Sequence, residues 1–122
     1  MKTLKKILII EDEESLARAL EIKLSRAGFA VTTAFNGEDG VALILKGSFS
    51  LILLDLIMPK MDGFAVLAIL KEKNNQTPVM VLSNLSQEGD LKRIQELGVK
   101  EFFIKSNTPI TTILERIKEL LN

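Results

Sequence analysis

Four apolar runs in this chain are each followed by a polar residue that could do chemistry. Glu11 and Asp12 follow ILII, Asp55 follows LILL, Ser83 follows VMVL, and Lys105 follows FFI. Two like charges about 4 Å apart repel by roughly 4 kcal/mol at an effective dielectric near 20, so three clustered carboxylates need a cation. Magnesium keeps water and phosphate oxygens beside a few carboxylates. The pattern therefore predicts a magnesium site of Glu11, Asp12 and Asp55.

A phosphoryl group would complete the coordination of such an ion. Lys105 could neutralise one phosphoryl oxygen and Ser83 could donate a hydrogen bond to another. Asp55 is then the candidate nucleophile, because formation of an aspartyl phosphate is an established role of a carboxylate. Taken singly, each residue also has an ordinary interpretation as a helix-end acid, a turn former or a solvated lysine. Only their shared position after strands favours a site.

The order of apolar runs indicates which elements place these residues. Strand-like runs at 7–10, 30–34, 51–54, 79–82 and 102–104 alternate with stretches that have helical spacing. The run from Phe64 to Leu70 is apolar all round, and its Ala and Leu content favours a helix. Gly28 and Gly98 are predicted to end the first and fourth helices, Asn36-Gly37 to open the second, and Thr108 to cap the fifth before Pro109.

This alternation predicts an α/β fold of type (βα)5, with a parallel sheet between two layers of helices. ILII, LILL and VMVL are apolar throughout, as expected of central strands, whereas AVTTA and EFFI suit the edges. The strand order 2-1-3-4-5 meets these conditions with right-handed crossovers, and it is the order of flavodoxin-like folds. In such sheets ligands bind beyond the carboxyl ends of the strands, where the candidate residues lie.

Composition excludes several other classes of function. The 122 residues fit one domain, and 16 basic residues balance 16 acidic ones, so no basic surface for nucleic acid is expected. The chain has no Cys and no His, which excludes disulfides, thiol nucleophiles and Ser-His-Asp triads. No apolar stretch is long enough to span a membrane, and no signal-peptide pattern is present, so we expect a cytoplasmic protein.

The ordered motifs resemble the receiver domains of bacterial two-component response regulators over essentially the whole chain. The similar segments are ILIIEDEESL, LILLDLIMPKMDGF, VMVLSN and FFIK. The resemblance implies that Asp55 accepts phosphate from the phosphohistidine of a sensor histidine kinase or a histidine phosphotransfer protein. It also implies a single receiver domain over residues 1–122, with no output domain, that acts as a signalling phosphoacceptor rather than an enzyme.

Further roles follow from the same resemblance. Glu11, Asp12, Asp55 and the backbone carbonyl of Ile57 would hold Mg²⁺, or Mn²⁺ in its place. Lys105 would contact the phosphoryl group, while Ser83 and Phe102 would form the switch. Ile57 and Leu85 occupy the positions that tune loss of the phosphoryl group. Because both are apolar and cannot orient water, we expect slow self-dephosphorylation.

The resemblance implies that phosphorylation shifts the balance between two conformations of the fourth helix, fifth strand and fifth helix. These three elements are the expected surface for a downstream protein partner. Three positions depart from the family pattern. Ser106 replaces the usual proline after the lysine, so a trans bond is expected there. Asn84 stands where a small residue is usual and Phe102 where tyrosine is commoner.

Three other interpretations compete with a phosphoacceptor. A haloacid-dehalogenase-type phosphotransferase would need an aspartate at position 57, and a flavin carrier would need a phosphate-friendly loop in place of EDEES. A receiver-like scaffold or dimerisation module that works without phosphorylation stays open, because Asn84 and Ser106 depart from the pattern. The acidic pair, Asp55 and Lys105 favour a working site.

Overall fold

The computed structural model describes residues 4–84, 88–99 and 101–122. Strands and helices alternate along the chain, as the sequence predicts. The strands are β1 (Lys6–Ile10), β2 (Ala30–Ala34), β3 (Leu51–Leu54), β4 (Val79–Ser83) and β5 (Glu101–Ile104). The helices are α1 (Glu14–Arg26), α2 (Gly37–Lys46), α3 (Gly63–Glu72), α4 (Glu88–Glu96) and α5 (Ile110–Leu121), with a 3-10 turn at Lys105–Asn107.

All five strands are parallel and lie in the order β2-β1-β3-β4-β5. The predicted α/β architecture and strand order are therefore confirmed, including the placement of AVTTA and EFFI at the edges. Every residue of LILL is buried, because helices cover both faces of the sheet. None of the helices in the described ranges is long and apolar enough to cross a membrane.

Two apolar cores lie on opposite faces of the sheet. Alternate β1 side chains separate between them, with Ile7 and Ile9 facing α1 and α5, and Leu8 and Ile10 facing α2, α3 and α4. This follows from the period of two along a strand. Both faces of the sheet are buried, so the side chains that follow the strands lie at its carboxyl edge.

Most of the predicted helix ends are confirmed. Gly28 and Gly98 have φ of 99° and 88° just beyond α1 and α4, a conformation that favours glycine. The Asn36 side chain accepts a hydrogen bond from the Asp39 N–H at the start of α2. The predicted Thr108 cap is wrong, since α5 begins at Ile110 and the Thr108 hydroxyl donates to the Ile104 carbonyl at 2.8 Å.

Candidate functional site

The candidate residues meet at the carboxyl edge of the sheet. Asp55 is 4% exposed, Glu11 is 2% exposed and the Ser83 side chain is fully buried. Carboxylate oxygens of Glu11, Asp12 and Asp55 lie within 4.8 Å of one another. A cleft of about 260 Å³ opens beside them and is lined by Asp12, Glu13, Asp55, Ile57, Ser83, Asn84 and Lys105. The sequence prediction that these three carboxylates converge is confirmed.

Asp55 is held at both of its carboxylate oxygens. Oδ1 accepts hydrogen bonds from the Ser83 hydroxyl at 3.0 Å and from the Ile57 N–H at 3.3 Å, while Oδ2 lies 3.2 Å from Lys105 Nζ. The start of α3 also packs closely against the Asp55 backbone, because Gly63 has no side chain and a Cβ there would clash with the Asp55 carbonyl oxygen. This contact lets α3 begin directly behind the aspartate. The carboxylate is therefore oriented before any ligand arrives.

Lys105 bridges three carboxylates. Its Nζ lies 2.8 Å from Glu11 Oε1, 3.2 Å from Asp55 Oδ2 and 3.4 Å from Glu13 Oε2. Burial alone would lower the pKa of Lys105, but the hydrogen bond to Glu11 and the charge of Asp55 outweigh it and raise this pKa to about 12. The ammonium is therefore charged throughout the physiological range and offsets part of the acidic charge.

Glu11 and Asp12 differ in their surroundings. Burial raises the pKa of the Glu11 carboxyl to about 7, although the hydrogen bonds from Lys105 and from the Glu13 N–H oppose this effect. Asp12 is exposed at the cleft. Glu11 thus lies on the buried side of the cluster, whereas Asp12 is exposed to water and can contact an incoming ligand.

Glu13 lies at the site although the sequence did not predict it there. Glu13 is the residue before the first turn of α1, but its side chain makes no capping hydrogen bond and lies beside Lys105 instead. Its position directly after the acidic pair was the one sequence signal for this placement. The pairing itself joins residues 92 positions apart.

The remaining predicted residues lie around this cluster. Ile57 is 59% exposed at the cleft, and its N–H contacts Asp55, while Phe102 is half-buried against the apolar core that α3 and α4 share. Leu85 lies outside the described residues.

The peptide bond before Ser106 is trans, as expected. The Ser106 N–H donates to Asn84 Oδ1 at 2.7 Å, a contact that the sequence did not predict.

Comparison with known proteins gives a consistent result. Residues 7–118 match the family model described as the response regulator receiver domain. The chain is 37% identical over 100 residues to the transcriptional regulatory protein DltR of Streptococcus agalactiae, covering 82% of this chain and 45% of that protein. It thus spans about half the length of the curated relatives it matches.

Solved structures show the same fold. The receiver domain of the Francisella response regulator 1452 has a TM-score of 0.87 and 28% identity, covering 95% of each chain. The response regulator protein TrrA of Thermotoga maritima, solved in complex with Mg²⁺-BeF, has a TM-score of 0.83 and 26% identity. That alignment covers 97% of this chain and all of the other.

Proposed function

This chain belongs to the response regulator receiver domain family, and from that premise we propose that Asp55 accepts a phosphoryl group in a Mg²⁺-dependent reaction. The donor is the phosphohistidine of a sensor histidine kinase or of a histidine phosphotransfer protein. The observation that carries the proposal is a buried aspartate held by Ser83 and Lys105 within a cluster of three carboxylates.

The geometry supports transfer by positioning and charge. An Asp55 carboxylate oxygen forms the new bond to phosphorus as the phosphorus–nitrogen bond of the donor breaks, and the leaving imidazole keeps the electron pair. Lys105 and Ser83 already contact the two Asp55 oxygens, so small shifts would bring their donors to the phosphoryl oxygens. Fixed donors of this kind stabilise charge that develops in the transition state.

The donor set suits a hard divalent cation. Carboxylate oxygens of Glu11, Asp12 and Asp55 would hold Mg²⁺, with the Ile57 carbonyl as a further ligand, and exposed Asp12 leaves room for retained water. The ion would supply charge neutralisation for the phosphoryl group. Lys105 provides only one positive charge against the acids around it, which supports the need for a second cation.

Phosphorylation would then act as a switch. A phosphoryl group adds about −1.5 to −2 of charge, which favours a conformation in which Ser83 and Lys105 contact it. Leu91 of α4 is 43% exposed and Ile104 of β5 is 39% exposed, so this side offers apolar surface to a protein partner. Arg116 of α5 forms an ion pair with Glu101 of β5, and this pair links the two elements. The hydrogen bond from Arg116 also lowers the pKa of the Glu101 carboxyl.

The output of this switch depends on what accompanies the domain. DltR is by name a transcriptional regulatory protein, and this chain spans 45% of it. We propose that residues 1–122 themselves contact a protein partner through α4, β5 and α5 rather than nucleic acid. The equal numbers of acidic and basic residues support this assignment.

A small phosphodonor with Mg²⁺, followed by intact mass spectrometry, tests the proposal. We expect the wild-type chain to gain one phosphoryl mass, and the gain to vanish with Asp55→Asn or with excess chelator. Asp62→Asn is the matched control, because an asparagine keeps the cap that Asp62 forms on α3 outside the cluster. No gain in the wild type would favour the phosphorylation-independent scaffold, and a gain that survives Asp55→Asn would contradict the assigned acceptor.

A further inference from the structure

We propose that Asn84 is a positioning residue that ties the end of β4 to the turn after β5, so that Ser83 and Lys105 keep a fixed spacing around Asp55. The inference rests on the proposed function, because its consequence is the rate of phosphoryl transfer to Asp55. It assigns a role to Asn84, which lines the cleft but, within the described residues, makes no hydrogen bond to Asp55 or Lys105.

The tie is a single hydrogen bond between two strand ends. Ser83 pairs with Ile104 in the last register position of β4 and β5. Beyond that pair β4 ends, and the Ser106 N–H donates to Asn84 Oδ1 at 2.7 Å. The Asn84 side chain therefore continues the contact between the two strands for one more step, at the point where the site residues emerge.

Each end of this bond is the direct neighbour of a group that contacts Asp55. Asn84 follows Ser83, whose hydroxyl lies 3.0 Å from Asp55 Oδ1, and Ser106 follows Lys105, whose Nζ lies 3.2 Å from Oδ2. A shift of one strand end is thus transmitted to the other. Because Asn84 and Ser106 are exposed, water can replace the bond, and its main effect is on position rather than on stability.

The residue types at both ends are complementary. A proline in place of Ser106 would have no N–H to donate, and an alanine in place of Asn84 would have no side-chain acceptor. In this chain Ser106 has a backbone N–H, and this N–H donates to the side-chain amide oxygen of Asn84. The two departures from the family pattern therefore form one interaction in this chain.

Amide hydrogen exchange in the absence of a phosphodonor tests the bond itself. We expect the Ser106 N–H to exchange about fivefold faster in Asn84→Ala than in the wild type, because the net free energy of a hydrogen bond corresponds to about that factor. Asn84→Asp keeps an acceptor oxygen and should retain protection. Equal exchange in the wild type and Asn84→Ala would overturn the proposal.

Phosphorylation by a small phosphodonor at saturating Mg²⁺ tests the positioning role. We expect Asn84→Ala to lower the limiting rate about fivefold while the half-saturating donor concentration changes little. Ser106→Ala is the matched control, since it keeps the N–H, and it should behave as the wild type. Ser106→Pro removes the donor, and adding Asn84→Ala to it should have no further effect.

Several results would overturn the inference. An unchanged limiting rate in Asn84→Ala, or an equal loss in Ser106→Ala, would remove the positioning role. An undiminished effect of Asn84→Ala in the Ser106→Pro background would show that Asn84 acts through another contact. A wild-type chain that gains no phosphoryl group would overturn the proposed function and the positioning role together, whereas a phosphorylated wild type with an unaffected variant would overturn the positioning role alone.

Discussion

Replacing Lys105 with methionine should destabilise the metal-free protein by about 3 kcal/mol at pH 8. Lys105 Nζ lies 2.8 Å from Glu11 and 3.2 Å from Asp55, which corresponds to attractions of roughly 5 to 6 kcal/mol each at an effective dielectric near 20. Desolvation of the charges offsets most of this attraction, and removing one partner of a buried pair costs about 3 to 5 kcal/mol. We expect a loss of unfolding free energy at the lower end of this range, because the Lys105 side chain is 15% exposed and water screens part of the interaction.

Urea unfolding with and without Mg²⁺ measures this effect. The loss should fall to about half at pH 6, because Glu11, whose pKa is about 7, is then mostly protonated and its pairing matters less. Added Mg²⁺ should stabilise Lys105→Met more than the wild type, since the variant cluster lacks its own cation. Lys23→Met, at an exposed position of α1, is the control. The reasoning would be refuted if Lys105→Met lost no more unfolding free energy than Lys23→Met. It would also be refuted if Mg²⁺ stabilised Lys105→Met and the wild type equally.

Three further predictions concern the same cleft. Asp12→Asn should weaken Mg²⁺ binding about tenfold or more in calorimetric titration, and unchanged affinity would exclude Asp12 as a ligand. Ile57→Asn should shorten the phosphoryl lifetime about tenfold, because an amide can orient water, and an equal decay by intact mass would contradict this. The folded-state pKa of Glu11 is raised from 4.5 to about 7, so its stabilising contribution is complete at low pH and is lost as pH rises through 7. Metal-free wild type should therefore lose about 2 kcal/mol relative to Glu11→Gln between about pH 5 and about 7.5 in urea unfolding, and a constant difference would contradict the assignment.

The fold could be predicted because local patterns and sheet geometry agree. Runs such as LILL indicate strands covered on both faces, and the polar edge runs fit the strand order of flavodoxin-like folds, which has right-handed crossovers. The prediction at Thr108 was wrong because α5 begins one residue later than the sequence indicates, with Pro109 as the residue before the helix. The same side chain can cap a following helix or donate to the preceding strand end, and here it donates to Ile104.

The convergence of Glu11, Asp12 and Asp55 could be predicted because residues after parallel strands must share one edge. The pairing of Glu13 with Lys105 could not be predicted, since it depends on side-chain rotamers and on residues far apart in sequence. The hydrogen bond between Asn84 and Ser106 was missed for a similar reason. Taken singly, each residue is only a departure from the family pattern, whereas their contact depends on the register of β4 and β5.

The central claim is that the Asp55 carboxylate forms the acyl phosphate, and chemical mapping tests it most directly. Borohydride reduces an aspartyl phosphate to homoserine, so the chain is treated with a phosphodonor and Mg²⁺, reduced, digested and sequenced by mass spectrometry. We predict homoserine at position 55 alone, and none when the metal is chelated. Homoserine at another acidic position, or an unmodified residue 55 in a chain that has gained phosphoryl mass, would contradict the account.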